Sequence, residues 1–202
     1  LTRCGHEVIV FERHDSPGGM LNQGIPVFRL PRNIIDKEIN QVLEQNIKIY
    51  YNKDIKTYKE VEELAAKYDA VLLALGTLKP NEINDEFSKS YNVEDGLDFL
   101  LRVNEYKSKY IGKNVVVIGG GYTSMDCART ALRLGAKTVR TFYRRTSNDL
   151  IILPGELEEL INEHGKMIFN AQPIKLIEKN NRLTALELIK TKLVKKKGAY
   201  HL

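Results

Sequence analysis

The fold is decided by the stretch Val115-Val116-Val117-Ile118-Gly119-Gly120-Gly121-Tyr122-Thr123-Ser124, because it joins an apolar strand to a helix through glycines. Gly119 permits a tight turn, and Gly121 lets the backbone approach a pyrophosphate at the positive N-terminus of the following helix. Ser124 stands where the pattern has a third glycine, at a helix-packing position that accepts another small residue. The stretch predicts a dinucleotide-binding loop, with an ordinary glycine turn as the alternative.

The residues after this loop complete a strand-helix-strand unit. The helix that begins at Tyr122 has an apolar face, and Gly135 follows as the glycine expected beyond a helix end. That face consists of Met125, Ala128 and Leu132. A second strand, residues 138 to 143, follows directly, so the unit has about 30 residues, the size of one crossover. On the same helix, Asp126 and Arg129 are expected to form a surface pair.

Arg144 and Arg145 follow the second strand, where an enzyme that selects NAD usually has a carboxylate for the ribose hydroxyls. Two planar guanidinium groups suit a 2′-phosphate instead, because each can bond phosphate oxygens in pairs. The arginines therefore indicate NADP rather than NAD. A solvated basic loop is the alternative.

A second nucleotide-binding pattern stands at the start of the chain. Residues 5 to 12 have the pattern of a helix end and then a strand that closes on Glu12. An acid at this position holds the ribose of an adenine dinucleotide, and its glycine loop lies about 20 residues upstream. That loop would precede Leu1, so we expect the sequence to be truncated. A solvated acid at a strand end is the alternative interpretation of Glu12.

Five further segments occur in the order typical of one known family. They are Ser16-Pro17-Gly18-Gly19-Met20-Leu21, Gly24-Ile25-Pro26-Val27-Phe28-Arg29-Leu30-Pro31, Ala74-Leu75-Gly76-Thr77, Gly96-Leu97-Asp98-Phe99-Leu100 and Phe169-Asn170-Ala171-Gln172-Pro173. Together with the glycine loop they resemble the glutamate synthase small-subunit family of flavoprotein NADPH oxidoreductases. Dihydropyrimidine dehydrogenase and NADPH:ferredoxin oxidoreductase subunits are relatives of that family. The resemblance spans nearly the whole chain.

The resemblance implies two cofactors, FAD and NADPH, and a set of residues that bind them. Glu12 would hold the FAD adenosine ribose. The flavin dinucleotide would be lined by Gly18, Gly19 and Leu21, with Gly24, Ile25 and Arg29 nearer the flavin ring. Gly76 and Thr77 would close a strand at the crossing between the domains. NADPH would be held by Gly119, Gly121, Tyr122, Thr123, Arg144 and Arg145.

The residues also have plain structural alternatives, and the chain departs from the family pattern twice. Residues 17 to 19 could form only a turn, and residues 24 to 31 only a surface loop. Tyr122 stands where the family usually has asparagine. Ile152-Leu153-Pro154, followed by Gly155-Glu156, stands where the family commonly has Met-Pro-Ala after the arginines.

The implied activity is that of an NADPH-dependent flavoprotein oxidoreductase. As an electron-input subunit, it would pass hydride from NADPH to FAD and electrons onward to an iron-sulfur or partner-subunit acceptor, most closely in the manner of the glutamate synthase small subunit. The cofactors carry this chemistry, so we nominate no catalytic side chain. A truncated NADP-binding module without catalysis is the alternative function.

Composition limits the partners. With 43% hydrophobic and 28% charged residues the chain is an ordinary globular one, and no apolar run spans a membrane, so we expect a cytoplasmic protein. The net charge of +5 is scattered, which argues against nucleic acid. A lysine-rich tail near residues 190 to 197 suggests either an acidic partner or phosphates, or an exposed β-arm. Cys4 and Cys127 form no redox motif, and the four histidines have no metal-ligand spacing.

The predicted fold class is α/β, with two Rossmann-like dinucleotide-binding lobes. Residues 1–78 form a partial FAD-binding domain without its first glycine loop, 79–94 a linker, and 95–202 a C-terminally truncated NADPH-binding domain. Helices are expected at 33–45, 97–103 and 156–163, and strands at 47–51, 69–75, 167–169, 174–177 and 183–189. Thr57 and Glu60 predict a capping box. The helix after it would bury Val61, Leu64, Ala65 and Tyr68.

Overall fold

A computed structural model gives the arrangement of the chain in two compact units, Leu1–Lys79 and Pro80–Leu202. The residues it describes are 1–76, 87, 90, 92–105, 108–192, 194–196 and 199–201. Most of the predicted linker, residues 79–94, lies outside these ranges, and so does Thr77. The domain boundaries therefore stay a prediction.

The first unit is built around a parallel strand pair. Its elements are β1 (Ile9–Phe11), α1 (Met20–Gln23), α2 (Arg32–Leu43), β2 (Lys48–Tyr50) and α3 (Tyr58–Ala65), after a 3-10 turn at Thr2–Cys4. In the pair, Ile9 lies opposite Lys48 and Phe11 opposite Tyr50. The Phe11 and Tyr50 rings stack with centroids 5.7 Å apart. A parallel pair needs a long connection, and α1 and α2 lie in the connection between these strands.

The predicted capping box at the start of α3 is confirmed. The Glu60 N–H donates to Thr57 Oγ1 at 3.3 Å, and the Thr57 N–H donates to the Glu60 carboxylate at 2.8 Å. The predicted apolar stripe is confirmed only in part, because Val61 and Leu64 are half-buried whereas Ala65 and Tyr68 are exposed. The helix ends at Ala65. Tyr68 therefore lies beyond the helix and is not on its buried face.

The predicted strand at residues 69–75 is wrong. Residues 70 to 76 have no strand conformation, and Leu72, Leu73 and Leu75 are 79%, 56% and 68% exposed. A strand requires a neighbour that accepts and donates its backbone hydrogen bonds. Within the described residues, β1 and β2 pair with each other and this apolar run has no such neighbour. An apolar run alone predicts a preference for burial, not a pairing partner.

The second unit contains a parallel sheet in the order β3-β4-β5. Its elements are α4 (Gly96–Asn104), β3 (Asn114–Ile118), α5 (Tyr122–Arg133), β4 (Thr138–Tyr143), a 3-10 turn (Ser147–Asp149), α6 (Glu156–Asn162) and β5 (Lys166–Phe169). The chain then forms β6 (Ala171–Lys179), β7 (Arg182–Lys190), β8 (Val194–Lys196) and β9 (Ala199–His201). The strands and helices predicted for this unit are confirmed, with ends that differ by a few residues.

The core of the second unit lies between the sheet and helices α4, α5 and α6. Helix α5 contributes Met125 and Ala128, both 0% exposed, as its apolar spacing predicts. The other buried members are Phe99, Leu100, Cys127, Ala131, Ala136, Val139 and Leu160. Because α5 connects β3 to β4, its burial fixes the end of the glycine loop to the sheet.

Strands β6 and β7 form an antiparallel hairpin beyond the sheet. Asn180 and Asn181 make its turn with φ of 51° and 57°, the left-handed conformation that a two-residue hairpin turn requires and asparagine tolerates. The pairing places Lys190 opposite Ala171, so the end of the hairpin returns to the end of β5.

The expected surface pair of Asp126 and Arg129 is wrong, because both residues are buried, at 5% and 6% exposure. Arg129 Nη2 donates to Glu163 Oε1 at 2.8 Å, and its guanidinium also pairs with Glu159. Arg133 donates to the same Glu163 oxygen at 2.7 Å. These ion pairs join α5 to the end of α6, a connection that spacing within α5 cannot reveal.

Replacing Arg129 by methionine should lower the free energy of unfolding by about 3 kcal/mol, because it leaves the Glu163 carboxylate largely enclosed without its main cation. Arg133→Met is the matched control, since Arg133 bonds the same oxygen but is 49% exposed. Its loss should stay below about 1 kcal/mol. Urea denaturation of both variants measures the difference, and equal losses would contradict the buried role of Arg129.

Acid should weaken the same connection. Burial raises the pKa of Glu163, but hydrogen bonds from Arg129 and Arg133 outweigh it and hold the pKa below its ordinary 4.5. The stabilisation is therefore complete above the unfolded pKa and is lost as pH falls through the lower folded pKa. In urea titrations below pH 4.5, we expect wild-type stability to fall more steeply with acid than that of Arg129→Met. Parallel slopes would contradict this assignment.

Candidate functional site

The glycine loop of the second unit is held between the ends of β3 and β4. Gly119 has φ of 143°, and its N–H donates to the Phe142 carbonyl at 3.0 Å. A side chain added at Gly119 would place Cβ 3.2 Å from Ser124 Cβ. Ser124 Oγ donates to the Gly121 carbonyl at 2.6 Å. The serine therefore packs tightly in the place of the third glycine, as predicted.

Gly120, which the sequence pattern treats as a free position, lies against the Tyr143 ring. A Cβ at Gly120 would lie 2.5 Å from two carbons of that ring. The Tyr143 hydroxyl donates to the Asp149 carbonyl at 2.8 Å, which holds the ring in place. The signal for this contact in the sequence was a glycine at the middle position of three consecutive glycines. The contact brings the loop beside the residues that follow β4.

Gly121 faces open space at the start of α5. A Cβ added there would meet nothing within 4 Å, so the position has room for a ligand close to the backbone. Tyr122 is 39% exposed and Thr123 is exposed, both in the first turn of α5. The backbone N–H groups of a helix's first turn point toward the N-terminal end of the helix. Such N–H groups, together with the helix dipole, favour an anion.

The loop after the arginines returns to the glycines. Ile151 donates its N–H to the Gly120 carbonyl at 3.2 Å and forms an isolated parallel bridge with Gly121. The segment that departs from the family pattern, Ile152-Leu153-Pro154, therefore follows directly on a residue bound to the loop. Ile152 packs against the core, whereas Leu153 is 60% exposed.

Arg144 and Arg145 lie at the carboxyl end of β4, beside the glycine loop. Arg144 is exposed and Arg145 is half-buried. Their carbonyls accept hydrogen bonds from later parts of the chain: Asn170 N–H donates to Arg145 at 3.1 Å, and Thr191 Oγ1 donates to Arg144. The backbone of the arginine pair is thus fixed, and the Arg144 residue is exposed.

The glycines of the first unit form a strained turn before α1. Gly18 and Gly19 have φ of 107° and 47°, a region that favours glycine. A Cβ at Gly18 would lie 2.9 Å from Asn22 Nδ2, and that amide group donates to the Pro17 carbonyl. Nothing lies within 4 Å of a Cβ at Gly19, and Leu21 is 49% exposed. Gly19 thus resembles Gly121, since both positions have room for a ligand close to the backbone.

Arg32, which the sequence pattern did not single out, ties together the segment after α1. Its guanidinium donates to the carbonyls of Leu21 at 3.1 Å, Leu30 at 3.1 Å and Ile25 at 2.8 Å. Gly24 is buried, and a Cβ there would lie 2.1 Å from the end of the Met20 side chain. The segment is therefore a fixed turn rather than an uncommitted loop.

Three further residues predicted to bind FAD are Arg29, Glu12 and Gly76. Arg29 is half-buried, and its N–H donates to the Pro26 carbonyl at 2.9 Å. Glu12 follows β1 directly, and its carboxylate accepts the His14 N–H at 2.9 Å. Gly76 is exposed with φ of 69° and closes no strand, because the predicted strand before it is absent. The roles of these residues in cofactor binding stay predictions.

Cys4 is exposed and Cys127 is buried, and both are free thiols. Burial raises the pKa of Cys127, with nearby carboxylates of Asp126 and Asp95 adding to the effect, so this thiol is unreactive. In the described part of the chain, no group of three or more His, Cys, Asp or Glu side chains could hold a metal ion. None of its helices is long and apolar enough to cross a membrane.

Comparison with known proteins finds sequence similarity along most of the chain. The profile of the family described as "Pyridine nucleotide-disulphide oxidoreductase" matches residues 1–192. The "Glutamate synthase [NADPH] small chain" of Escherichia coli is 30% identical over 96% of this chain and 43% of its own length. The "NADPH-Fe(3+) oxidoreductase subunit beta" of Geobacter sulfurreducens is 34% identical over 87% of this chain and 27% of its own length.

A solved structure extends the likeness to the fold. FprA from Mycobacterium tuberculosis superposes with a TM-score of 0.80 at 17% identity, over 96% of this chain and 59% of that protein. The fold is therefore of the Rossmann type, as the α/β pattern predicts. The chain spans less than half the length of these two curated relatives.

The middle and last glycines of the loop should respond differently to alanine. Gly120→Ala should lower the free energy of unfolding by about 2 kcal/mol, because the new methyl group overlaps the Tyr143 ring. Gly121→Ala, the matched control, should change it by less than about 1 kcal/mol, because its methyl group points into open space. Urea denaturation of the two variants tests the packing, and a Gly121 variant that is the less stable of the two would contradict it.

Proposed function

Because this chain belongs to the pyridine nucleotide-disulphide oxidoreductase family, we propose that it forms the cofactor-binding part of an NADPH-dependent FAD oxidoreductase. The observation that carries the proposal is the open side of Gly121 at the start of α5, beside the pair Arg144 and Arg145. The open side of Gly121 suits a pyrophosphate, and the arginine pair suits the additional phosphate of NADP. Both lie at the carboxyl edge of a parallel sheet, where such folds bind dinucleotides.

In the second unit, the proposed ligand is NADPH. The N–H groups at Gly121, Tyr122 and Thr123 would surround the pyrophosphate, since backbone donors and the helix dipole both favour it. NAD and NADP share that group, so it does not select between them. Arg144 and Arg145 would bind the 2′-phosphate that only NADP carries, through paired charge-assisted hydrogen bonds.

In the first unit, the proposed ligand is FAD. Glu12 at the end of β1 would accept hydrogen bonds from the adenosine ribose hydroxyls through the oxygen that does not bond His14. Gly18 and Gly19 would let the backbone approach the dinucleotide, with Leu21 beside them. Gly24, Ile25 and Arg29 would lie nearer the flavin ring, on the turn that Arg32 holds. Gly76 and Thr77 complete the proposed set.

The mechanism places the chemistry on the cofactors. The chemistry that FAD would supply when bound is acceptance of hydride from NADPH and transfer of the electrons onward, singly or in pairs. The chain's own residues bind and orient, and no side chain needs to act as an acid, base or nucleophile. The rigid glycine loop therefore contributes by holding the dinucleotide in one position.

The electron acceptor is proposed from the relatives' names. Two relatives are named as a glutamate synthase small chain and as an NADPH-Fe(3+) oxidoreductase subunit beta, and each name denotes part of a larger assembly. We therefore propose that electrons leave FAD for an iron-sulfur centre or a partner subunit, with glutamate synthase as the favoured class. The two free thiols suit a reducing, cytoplasmic setting.

A flavin titration tests the proposed function. The whole natural protein that contains this chain should purify with a bound flavin whose visible absorption bleaches on anaerobic addition of NADPH. Alanine at both Arg144 and Arg145 should raise the NADPH concentration for half-bleaching by about tenfold or more and leave that for NADH nearly unchanged, because only NADPH loses a phosphate contact.

The matched control removes two exposed arginines elsewhere, Arg140 and Arg182. It changes the net charge equally, so it should leave both half-bleaching concentrations unchanged. Binding of NADPH to a protein that holds no flavin would support the alternative, a binding module without catalysis. Absence of binding to either dinucleotide would overturn the proposed function.

A further inference from the structure

A cleft of about 590 Å³ opens beside the backbone of the arginine pair, at the ends of β5 and β7. It is lined by Thr146, Phe169, Asn170, Lys190, Thr191 and Lys192. These residues come from the turn after β4, the end of β5 and the end of β7. The cleft thus gathers three chain segments that are distant in sequence.

Hydrogen bonds fix the cleft to the arginines. Asn170, with φ of 53°, turns the chain between β5 and β6 and donates its N–H to the Arg145 carbonyl at 3.1 Å. The Thr191 N–H donates to the Asn170 carbonyl at 2.9 Å, and the Thr191 hydroxyl donates to the Arg144 carbonyl. Since Thr191 lies between Lys190 and Lys192, the backbone of both lysines lies next to that of the arginine pair.

The charge of this region is positive. The lining contains two lysines and no carboxylate, and its residues Asn170 and Thr191 bond the backbone carbonyls of Arg145 and Arg144. The nearby Asp149 carboxylate accepts the Thr146 N–H at 3.1 Å and the Thr146 hydroxyl at 2.6 Å. The Asp149 carboxylate therefore forms its hydrogen bonds within the turn after β4. Two lysines in a concave space, with two arginines next to it in the fold, suit a dianionic phosphate more than they suit a neutral ribose.

We propose that Lys190 and Lys192 are specificity-determining residues that, with the arginine pair, bind the phosphomonoester of a 2′-phosphorylated adenosine in this cleft. The inference rests on the proposed NADPH site and deepens it. It also gives the lysine-rich end of β7 a role. The hairpin carries these lysines from the far end of the second unit back to the carboxyl edge of the sheet.

Calorimetry with two small probes tests the inference on the intact polypeptide. The probes are 2′,5′-ADP, which carries the 2′-phosphate, and 5′-AMP, which lacks it. Alanine at both Lys190 and Lys192 should weaken 2′,5′-ADP about tenfold and change 5′-AMP less than about twofold, because two partly exposed charge contacts are lost. Arginine at both positions should retain most of the affinity, which separates loss of charge from loss of structure.

The control variant is Lys179→Ala, at the far tip of the same hairpin. It should leave both affinities unchanged. Unaltered 2′,5′-ADP binding in the double alanine variant would overturn the role of the lysines and leave the arginine site standing, as would an equal loss of both probes. Failure of the wild-type protein to bind 2′,5′-ADP would overturn the NADPH assignment itself, and this inference with it.

Discussion

The contact between Gly120 and the Tyr143 ring is the constraint on which the candidate site depends. Because Gly120 has no side chain, the ring can lie against the loop while its hydroxyl bonds the Asp149 carbonyl. The turn at Gly119, the first turn of α5 and the arginines after β4 are thereby brought to one edge of the sheet. Any side chain at Gly120 would overlap the Tyr143 ring, so either the loop or the ring would have to move.

Elements determined by short-range contacts could be predicted from the sequence. The capping box of Thr57 and Glu60 involves residues three positions apart, and the burial of Met125 and Ala128 follows from spacing on one helix. The strand at residues 138–143 is bounded by Gly135 and by charged residues. In each case the signal and the structure lie within a few residues of one another, so the pattern is sufficient.

Features that depend on a distant partner could not be predicted. The apolar run at 70–75 has the composition of a buried strand but pairs with no described strand. Arg129 has the spacing of a surface residue, yet it is buried and forms an ion pair with Glu163, which lies 34 positions later in the chain. The same limit applies in the site: Arg32 acts through carbonyls up to 11 residues away, and carbonyl acceptors leave no trace in a sequence.

In the proposed NADPH site, recognition would be divided between backbone shape and side-chain charge. Backbone N–H groups around Gly121 would bind a pyrophosphate whatever the neighbouring side chains, so the change from asparagine to Tyr122 need not alter that contact. The same generality prevents them from distinguishing NAD from NADP. Discrimination must then come from side-chain cations where a 2′-phosphate would lie. Arg144 and Arg145 could be recognised from sequence because they follow β4 directly, whereas Lys190 and Lys192 reach that place only through the β6–β7 hairpin.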